Sequence, residues 1–573
     1  MDPLVVLPPE IVLRILEFTA VPSVAHLNRT SSAWHDFIDK LHQEAVYSSS
    51  GKVWRPPGTK DFEFLATATS FAKIYEGVHT SKELCKQQTL LARNWNDQQP
   101  LTTESVLQVG NDPVWRFRPD FKRRFFVSTS QSGGLNVTDM DSGNMLWRLP
   151  YTTSSDEHSV RPYAHLEYQD GMMCFDREGD AIEVWRTDIE VLSRGEFKRI
   201  TILPHDCQTR GFQLSHDTLC VVSTEGQAFV YDMQASPPVL KKHIRMDEGA
   251  IGHLDQNEEI MVVSMGDRGY HVYDKGSGEL IGTLEPRHVT AAKRYHIRHP
   301  ARQMGASDVS RHGPTPRIFP PEKPSRNRLV PLSIENGPLP RTVEPQTDWQ
   351  GDDEWGAGLL YGDMMVGFSR TGQVFICSDW RKALKDHAAL HTRSAVIECE
   401  SDGASFDLGG WLSAADHRIM FEIRDRVYVV GLTDENKIPT LAEPERPSYS
   451  LLSSSAPQLA VPVSFMALFD DCIMTTYTTL GWRQNPPGSD GTQQHNGGPS
   501  RIFPTKAIRI ISLAPVANDV EVQSPVLEVS MADDTEHRTQ TGLLQLVSML
   551  GDELADDDED ALGVMETDFH DAV

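Results

Sequence analysis

The hydrophobic rhythm of the chain changes near residue 101. Before it, apolar residues recur every three or four positions, the spacing of a helix with one apolar face. After it, apolar and polar residues alternate in short β-rich runs. At the start, Pro8 and Pro9 suit a first helical turn, and Ile11, Ile15 and Phe18, with Leu16 beside them, predict the first helix. Pro22 restarts the chain into a second helix carrying Val24 and Leu27, and Ser31 or Ser32 can cap a third with Trp34, Phe37, Ile38 and Leu41. Forty-odd residues rarely bury enough surface to fold alone. These apolar faces therefore have to pack on the next domain or be offered to a partner. A further helical region is predicted from Phe71 to Trp95, with Leu84, Leu90, Leu91 and Trp95 as its apolar positions.

Beyond residue 101, seven segments share one character: LNVTD at 135–139, IEVWR at 182–186, AFVYD at 228–232, YHVYD at 270–274, VFICS at 374–378, VYVVG at 427–431 and IRIIS at 508–512. Their central residues are Val137, Val184, Val230, Val272, Ile376, Val429 and Ile510, and the first three intervals are 47, 46 and 42 residues. That period suits one four-stranded unit per repeat. The later intervals, 104, 53 and 81 residues, carry insertions. Residues 285–350 hold eleven prolines, nine arginines and four histidines, too few aliphatics for a core, and 480–500 is rich in Gly, Pro, Asn and Gln, so both are expected to be disordered. The outer strand that would complete the last unit is either 105–109 or 526–529. A β-sandwich also yields many short strands; repetition of one strand-turn-strand unit favours a propeller, which leaves few exposed edges.

Two resemblances rest on these residues. Leu7-Pro8, Ile11, Ile15-Leu16, Phe18, Val24, Leu27 and Trp34 resemble, in order and spacing, the F-box, the three-helix module that docks a Skp-type adaptor in SCF ubiquitin ligases. Thr30 stands where that family usually has an aliphatic residue, and its closing Leu-Trp pair is absent. The Lys-Glu-Leu-Cys core and the Arg-Asn-Trp end of the 71–95 region are similar to segments that come after the F-box in fungal F-box proteins. The repeats resemble a WD-repeat propeller, with Tyr-Asp at 231–232 and 273–274 where Trp-Asp is frequent, and Val184-Trp185 keeping the tryptophan. The expected organisation is mainly β with an N-terminal α segment: an F-box at 1–45, a helical linker at 46–100, a WD-like propeller of seven blades at 101–530 and an acidic tail at 531–573.

Composition changes this picture little. A net charge of -27 disfavours a general nucleic-acid or membrane-surface role. Thirteen acids and one base fall within 531–573, predicting a solvated, disordered end. The seven cysteines are scattered without a C-x-x-C pattern and read as free thiols in a reducing compartment, cytoplasmic or nuclear. No apolar run is long enough for a membrane helix, and the N-terminus is unlike a signal peptide. No H-E-x-x-H, G-x-S-x-G or P-loop pattern occurs, and Gly276-x-Gly278 lies in a hairpin turn. No catalytic residue, metal site or cofactor is expected.

The resemblance implies a non-catalytic substrate-recognition subunit of an SCF-type ligase. Leu7, Pro8, Ile11, Ile15, Leu16, Val24, Leu27 and Trp34 would dock the adaptor or support the module. A cullin and a RING subunit would join through the adaptor. Arg116 and Arg210 are candidates for a substrate face that reads a protein, phosphorylated or not. The alternative is a WD-like interaction scaffold outside a ligase.

Overall fold

A computed structural model of the protein describes residues 2–515 except 50, 57–58, 60–61, 151–158, 178–180, 190, 224, 247–252, 299–328, 340–352, 400–410, 424–425, 440–445, 456–461 and 483–501. The tail at 531–573 and the outer-strand candidate at 526–529 lie outside the described residues. The described residues belong to one compact unit, and 304–324 and 527–573 lie outside them.

The N-terminal helices are α1 (Pro3–Val6), α2 (Pro9–Glu17), α3 (Val21–Leu27), α4 (Ser32–His35), which runs into a π turn at Asp36–Leu41, α5 (Gln43–Tyr47) and α6 (Ser81–Trp95). Local chemistry sets their ends. Asp2 accepts the Leu4 amide at 3.0 Å to start α1, Pro9 opens α2, Pro22 lies in the first turn of α3, and Ser31 Oγ accepts the Trp34 amide at 3.3 Å. The region predicted as helical from Phe71 is helical only from Ser81. A capping box explains the start: Thr80 accepts the Glu83 amide while Glu83 accepts the Thr80 amide, and Gly77 turns the preceding chain at φ +74°. Removing the cap with Thr80→Ala is expected to lower stability by about 1 kcal/mol in denaturant melts.

Val12 and Leu16 form the buried face of α2 and meet Val24, Trp34 and Ile38 in one cluster. That cluster is completed by Val46, Tyr47, Val53, Val78, Leu84 and Cys85, so this small core needs residues well beyond 45. Polar ties take the same route. Lys52 Nζ donates to the Leu16 carbonyl at the end of α2 and to the Val46 carbonyl of α5, and Asp39 accepts from Asn28 at 2.7 Å and Lys82 at 2.6 Å.

All seven repeat segments are strands. Each pairs with the preceding strand at one register: Val137 faces Val127, Val184 faces Cys174, Val230 faces Cys220, Val272 faces Val262, and Ile376, Val429 and Ile510 face Val366, Met420 and Met474. Among the described residues the strands form five four-stranded antiparallel sheets and one of ten strands. The inner strand of each four-strand run lies beside that of the next, and the last sheet packs back on Val114–Asp120 of the first, giving a closed, propeller-like ring. The core is divided among the interfaces: Cys174, Ile182 and Val184 of one sheet, for instance, pack with Phe212, Leu219 and Val221 of its neighbour. The last sheet takes its outer strand from the N-terminal side, Thr103–Leu107, which pairs with Ile502–Ser512.

Within the 285–350 insertion, residues 299–328 and 340–350 lie outside the described residues, and the described part departs from the expected disorder. Arg294–Arg298 and Val330–Asn336 form a hairpin whose strands lie along the outer strands Ser394–Glu398 and Ser448–Leu452. This joins two four-strand runs into the ten-stranded sheet. Few aliphatics are needed there because the hairpin satisfies existing strand edges through backbone hydrogen bonds. In the second insertion Leu480–Trp482 continues the strand Cys472–Trp482, while 483–501 is outside the described residues.

Candidate functional site

Two places collect functional chemistry. The first is α2. Its apolar residues form two adjacent stripes: Val12 and Leu16 are buried, whereas Ile11, Ile15 and Phe18 are 49%, 51% and 75% exposed. Val5 and Val6 on the adjoining α1 are exposed as well, as is Leu41 at the end of the π turn. Among the eight N-terminal candidates, the structure therefore separates two roles. Leu16, Val24 and Trp34 are buried within the module, Leu7 and Leu27 are half-buried, and Pro8, Ile11 and Ile15 face outward. Val5 and Val6 escape sequence reasoning because they lie in a four-residue helix too short to show a period. Arg14 stacks its guanidinium over Phe18 at 4.7 Å, so the outward face is apolar with a cation at its edge.

The second place is the centre of the ring. The equivalent second-strand positions pair inward with Arg118, Glu167, Gln213 and Asp255 in four successive sheets, and with Leu359, Ser413 and Ala467 in the remaining three runs. These residues make one layer. Neighbours within it touch across the gaps between sheets: Arg118 pairs with Glu167 at 2.7 Å, and Gln213 donates to Asp255. Two residues earlier along each strand the side chain returns to the same face. That offset gives a second layer containing Arg116, His165, Gly211, His253, Trp411 and Phe465.

The second layer has a cationic side and an aromatic side. Arg116 lies over the Trp411 ring at 4.3 Å, Trp411 meets Phe465 at 5.6 Å, and Arg118 lies over Phe465 at 4.2 Å. His165 stacks on Phe212 with centroids 4.2 Å apart and places Nε2 2.9 Å from Glu167. Burial, then the charge of Arg118, lowers the Arg116 pKa to about 9. Burial, reinforced by Arg116, lowers that of His165 to about 4, and burial with Arg116, Arg210 and His165 does the same to His253. Burial tends to raise the Glu167 carboxyl, but Arg118 and His165 outweigh it and hold it below the usual range.

Of the two arginine candidates for an exposed substrate face, Arg210 is exposed, whereas Arg116 has its Nε and Nη1 closed off within the channel. The shared position of Arg116, His165, Gly211 and His253 becomes visible only once the repeats are aligned strand by strand. Among the described residues no group of three or more His, Cys, Asp or Glu side chains is arranged to hold a metal ion, and no helix is long and apolar enough to cross a membrane.

No family model matches this sequence, and neither does any curated protein. Among solved structures, the chain is similar to the computationally designed Ika8 protein, with a TM-score of 0.37 and 13% identity over 65% of this chain and 96% of that one. It is also similar to the β-propeller domain of Myceliophteria thermophila Cps50 (Swd1), with a TM-score of 0.36 and 8% identity over 65% of this chain and 95% of that one.

Proposed function

We propose that this protein is the substrate-recognition subunit of an SCF-type ubiquitin ligase, built from an F-box, a helical connection and a WD-like propeller of seven blades. The observation that carries this reading is the outward face of Ile11, Ile15 and Phe18 on a module whose own core is filled by other residues. An apolar stripe left in water after its helix has found a core is suited to a partner helix. A Skp-type adaptor would cover it and bring the cullin and RING subunits, in the cytoplasm or nucleus. The ring would hold the protein substrate, and ubiquitin transfer would belong to the other subunits. This chain's contribution is proximity, which makes the encounter of a substrate lysine with the ubiquitin thioester effectively intramolecular.

The test is capture of a purified Skp-type adaptor by the full chain. The double variant Ile11→Asp with Ile15→Asp is expected to weaken capture more than tenfold while leaving the melting temperature near wild type, because both positions already face water. Unchanged capture by the folded double variant overturns the reading. Absence of capture by the wild type favours the interaction scaffold outside a ligase.

A further inference from the structure

We propose that the channel layer containing Arg116, His165 and His253 binds a free, compact tetrahedral dianion of the phosphate class, and that binding draws protons onto the histidines. The inference is independent of the ligase reading. It begins with a guanidinium whose buried hydrogen-bond donors are not met. Arg116 Nε and Nη1 are sealed from water without a hydrogen-bond partner among the described residues, an arrangement that costs free energy unless an acceptor arrives. The neighbouring cations are already matched: Arg118 pairs with Glu167, and Arg161 with Asp176. Arg116 has no such carboxylate among the described residues. Glu167 and Asp176 act on Arg116 only through space, and its charge bears in turn on His165 and His253.

The architecture selects the kind of anion. A guanidinium presents a planar fork that suits a tetrahedral oxyanion. Gly211 occupies the same layer between His165 and His253 and contributes no side chain of its own. Trp411 covers the guanidinium face at 4.3 Å, so access is by a small species and not by a side chain carried on a bulky peptide.

Proton coupling arises from the same groups. Both histidines are neutral at pH 7, since burial and the nearby cations hold each at about 4. A dianion beside them reverses the sign of that field and raises their affinity for protons. Linkage then requires anion affinity to strengthen as pH falls. The acidic groups facing the site act in a known direction too. Glu167 stays ionised beside Arg118, Asp176 is paired with Arg161, and Asp255 in the next layer, held at about 7 by burial, loses its negative charge as pH falls and so also favours the anion.

The experiment is calorimetric titration of the full chain with sulfate, a dianion throughout the range used, from pH 7.5 to 5, with chloride as reference and buffers of different ionisation enthalpy to count protons. Sulfate, and inorganic phosphate at pH 7.5 where it is mostly dianionic, should bind at least tenfold more tightly than chloride, and sulfate binding should show proton uptake and rising affinity toward pH 5. Arg116→Gln should lose at least tenfold in affinity. The pair His165→Asn with His253→Asn, checked by melting to be folded, should flatten the pH dependence, and Asp255→Asn should leave most of it. Sulfate that binds no better than chloride, an unchanged Arg116→Gln, or an unaltered pH slope in the folded histidine pair would each overturn the proposal. Binding of a phosphoserine peptide where sulfate and phosphate fail would do the same, by assigning the site to a phosphorylated side chain.

Discussion

Asp471→Ala is expected to loosen the N-terminal module from the ring and to lower stability by on the order of 3–5 kcal/mol, a shift of about a hundredfold or more in the unfolding equilibrium. The carboxylate sits in the turn between Met466–Leu468 and Cys472–Trp482 and is fully buried. It accepts the Ser70 hydroxyl at 2.6 Å and the amides of Phe71 and Ala72 at 2.8 and 2.9 Å. Arg124 grips the same loop from the first sheet, donating to the carbonyls of Ser70 and Phe71 at 3.2 and 3.0 Å. Truncation leaves two backbone amides and a hydroxyl without their acceptor, the costly case for buried donors. Burial raises the Asp471 pKa, while the donors from Ser70, Phe71 and Ala72 act against that rise. Asp471→Asn should restore part of the loss, because an amide oxygen can accept from one amide while its NH2 group opposes the other. Denaturant melts combined with limited proteolysis across residues 66–77 measure both effects. Wild-type stability together with wild-type protease resistance in Asp471→Ala would show that the loop is held by other contacts, such as Trp95 Nε1 on the Asp470 carbonyl at 3.0 Å.

That junction is not legible in the sequence, for a physical reason. Ser70 and Asp471 are separated by four hundred residues, and nothing in either local pattern signals a partner at that distance. The third strands, by contrast, can be read directly. Val137, Val184, Val230 and Val272 stand in short β-rich runs that recur at near-even spacing, and each occupies the same register of its sheet. Pattern alone misleads in α2. With apolar residues at 11, 12, 15 and 16, helical periodicity reports an apolar helix without saying which stripe is inside, and the structure buries Val12 and Leu16 instead of Ile11 and Ile15. The insertion hairpin escapes because its strands are specified by the open edges they meet, not by their own hydrophobicity. Arg116 reads as a surface residue because arginine usually is one. Its place in the channel is set by strand register, which emerges only when all the repeats are superimposed.

Asp255→Asn should remove a pH-dependent weakness from the ring. Asp255 is almost fully buried, accepts the Leu360 amide and the Gln213 side chain, and carries a pKa that burial raises to about 7 despite those donors, with Glu167 adding to the rise. The unfolded carboxyl titrates near about 3.9. Below that value both states are protonated and the group costs nothing. Between about 4 and 7 the unfolded chain releases its proton while the folded one keeps it, so stability falls by about 1.4 kcal/mol per pH unit and then levels off. The accumulated effect is on the order of 3–5 kcal/mol at pH 8. Gln213 indicates how the protonated form is accommodated, since its buried Oε1 has no donor among the described residues and a carboxylic O–H can supply one after the amide flips. Asparagine has similar shape, retains an acceptor for Leu360 and does not titrate. The difference in unfolding free energy between Asp255→Asn and wild type should therefore grow from pH 4 to pH 7 and be constant above it. Other titrating groups shift both proteins alike and cancel in that difference. A flat difference across the range would mean that Asp255 is ionised in the folded ring at all these pH values, with Gln213 and Leu360 sufficient to solvate its charge.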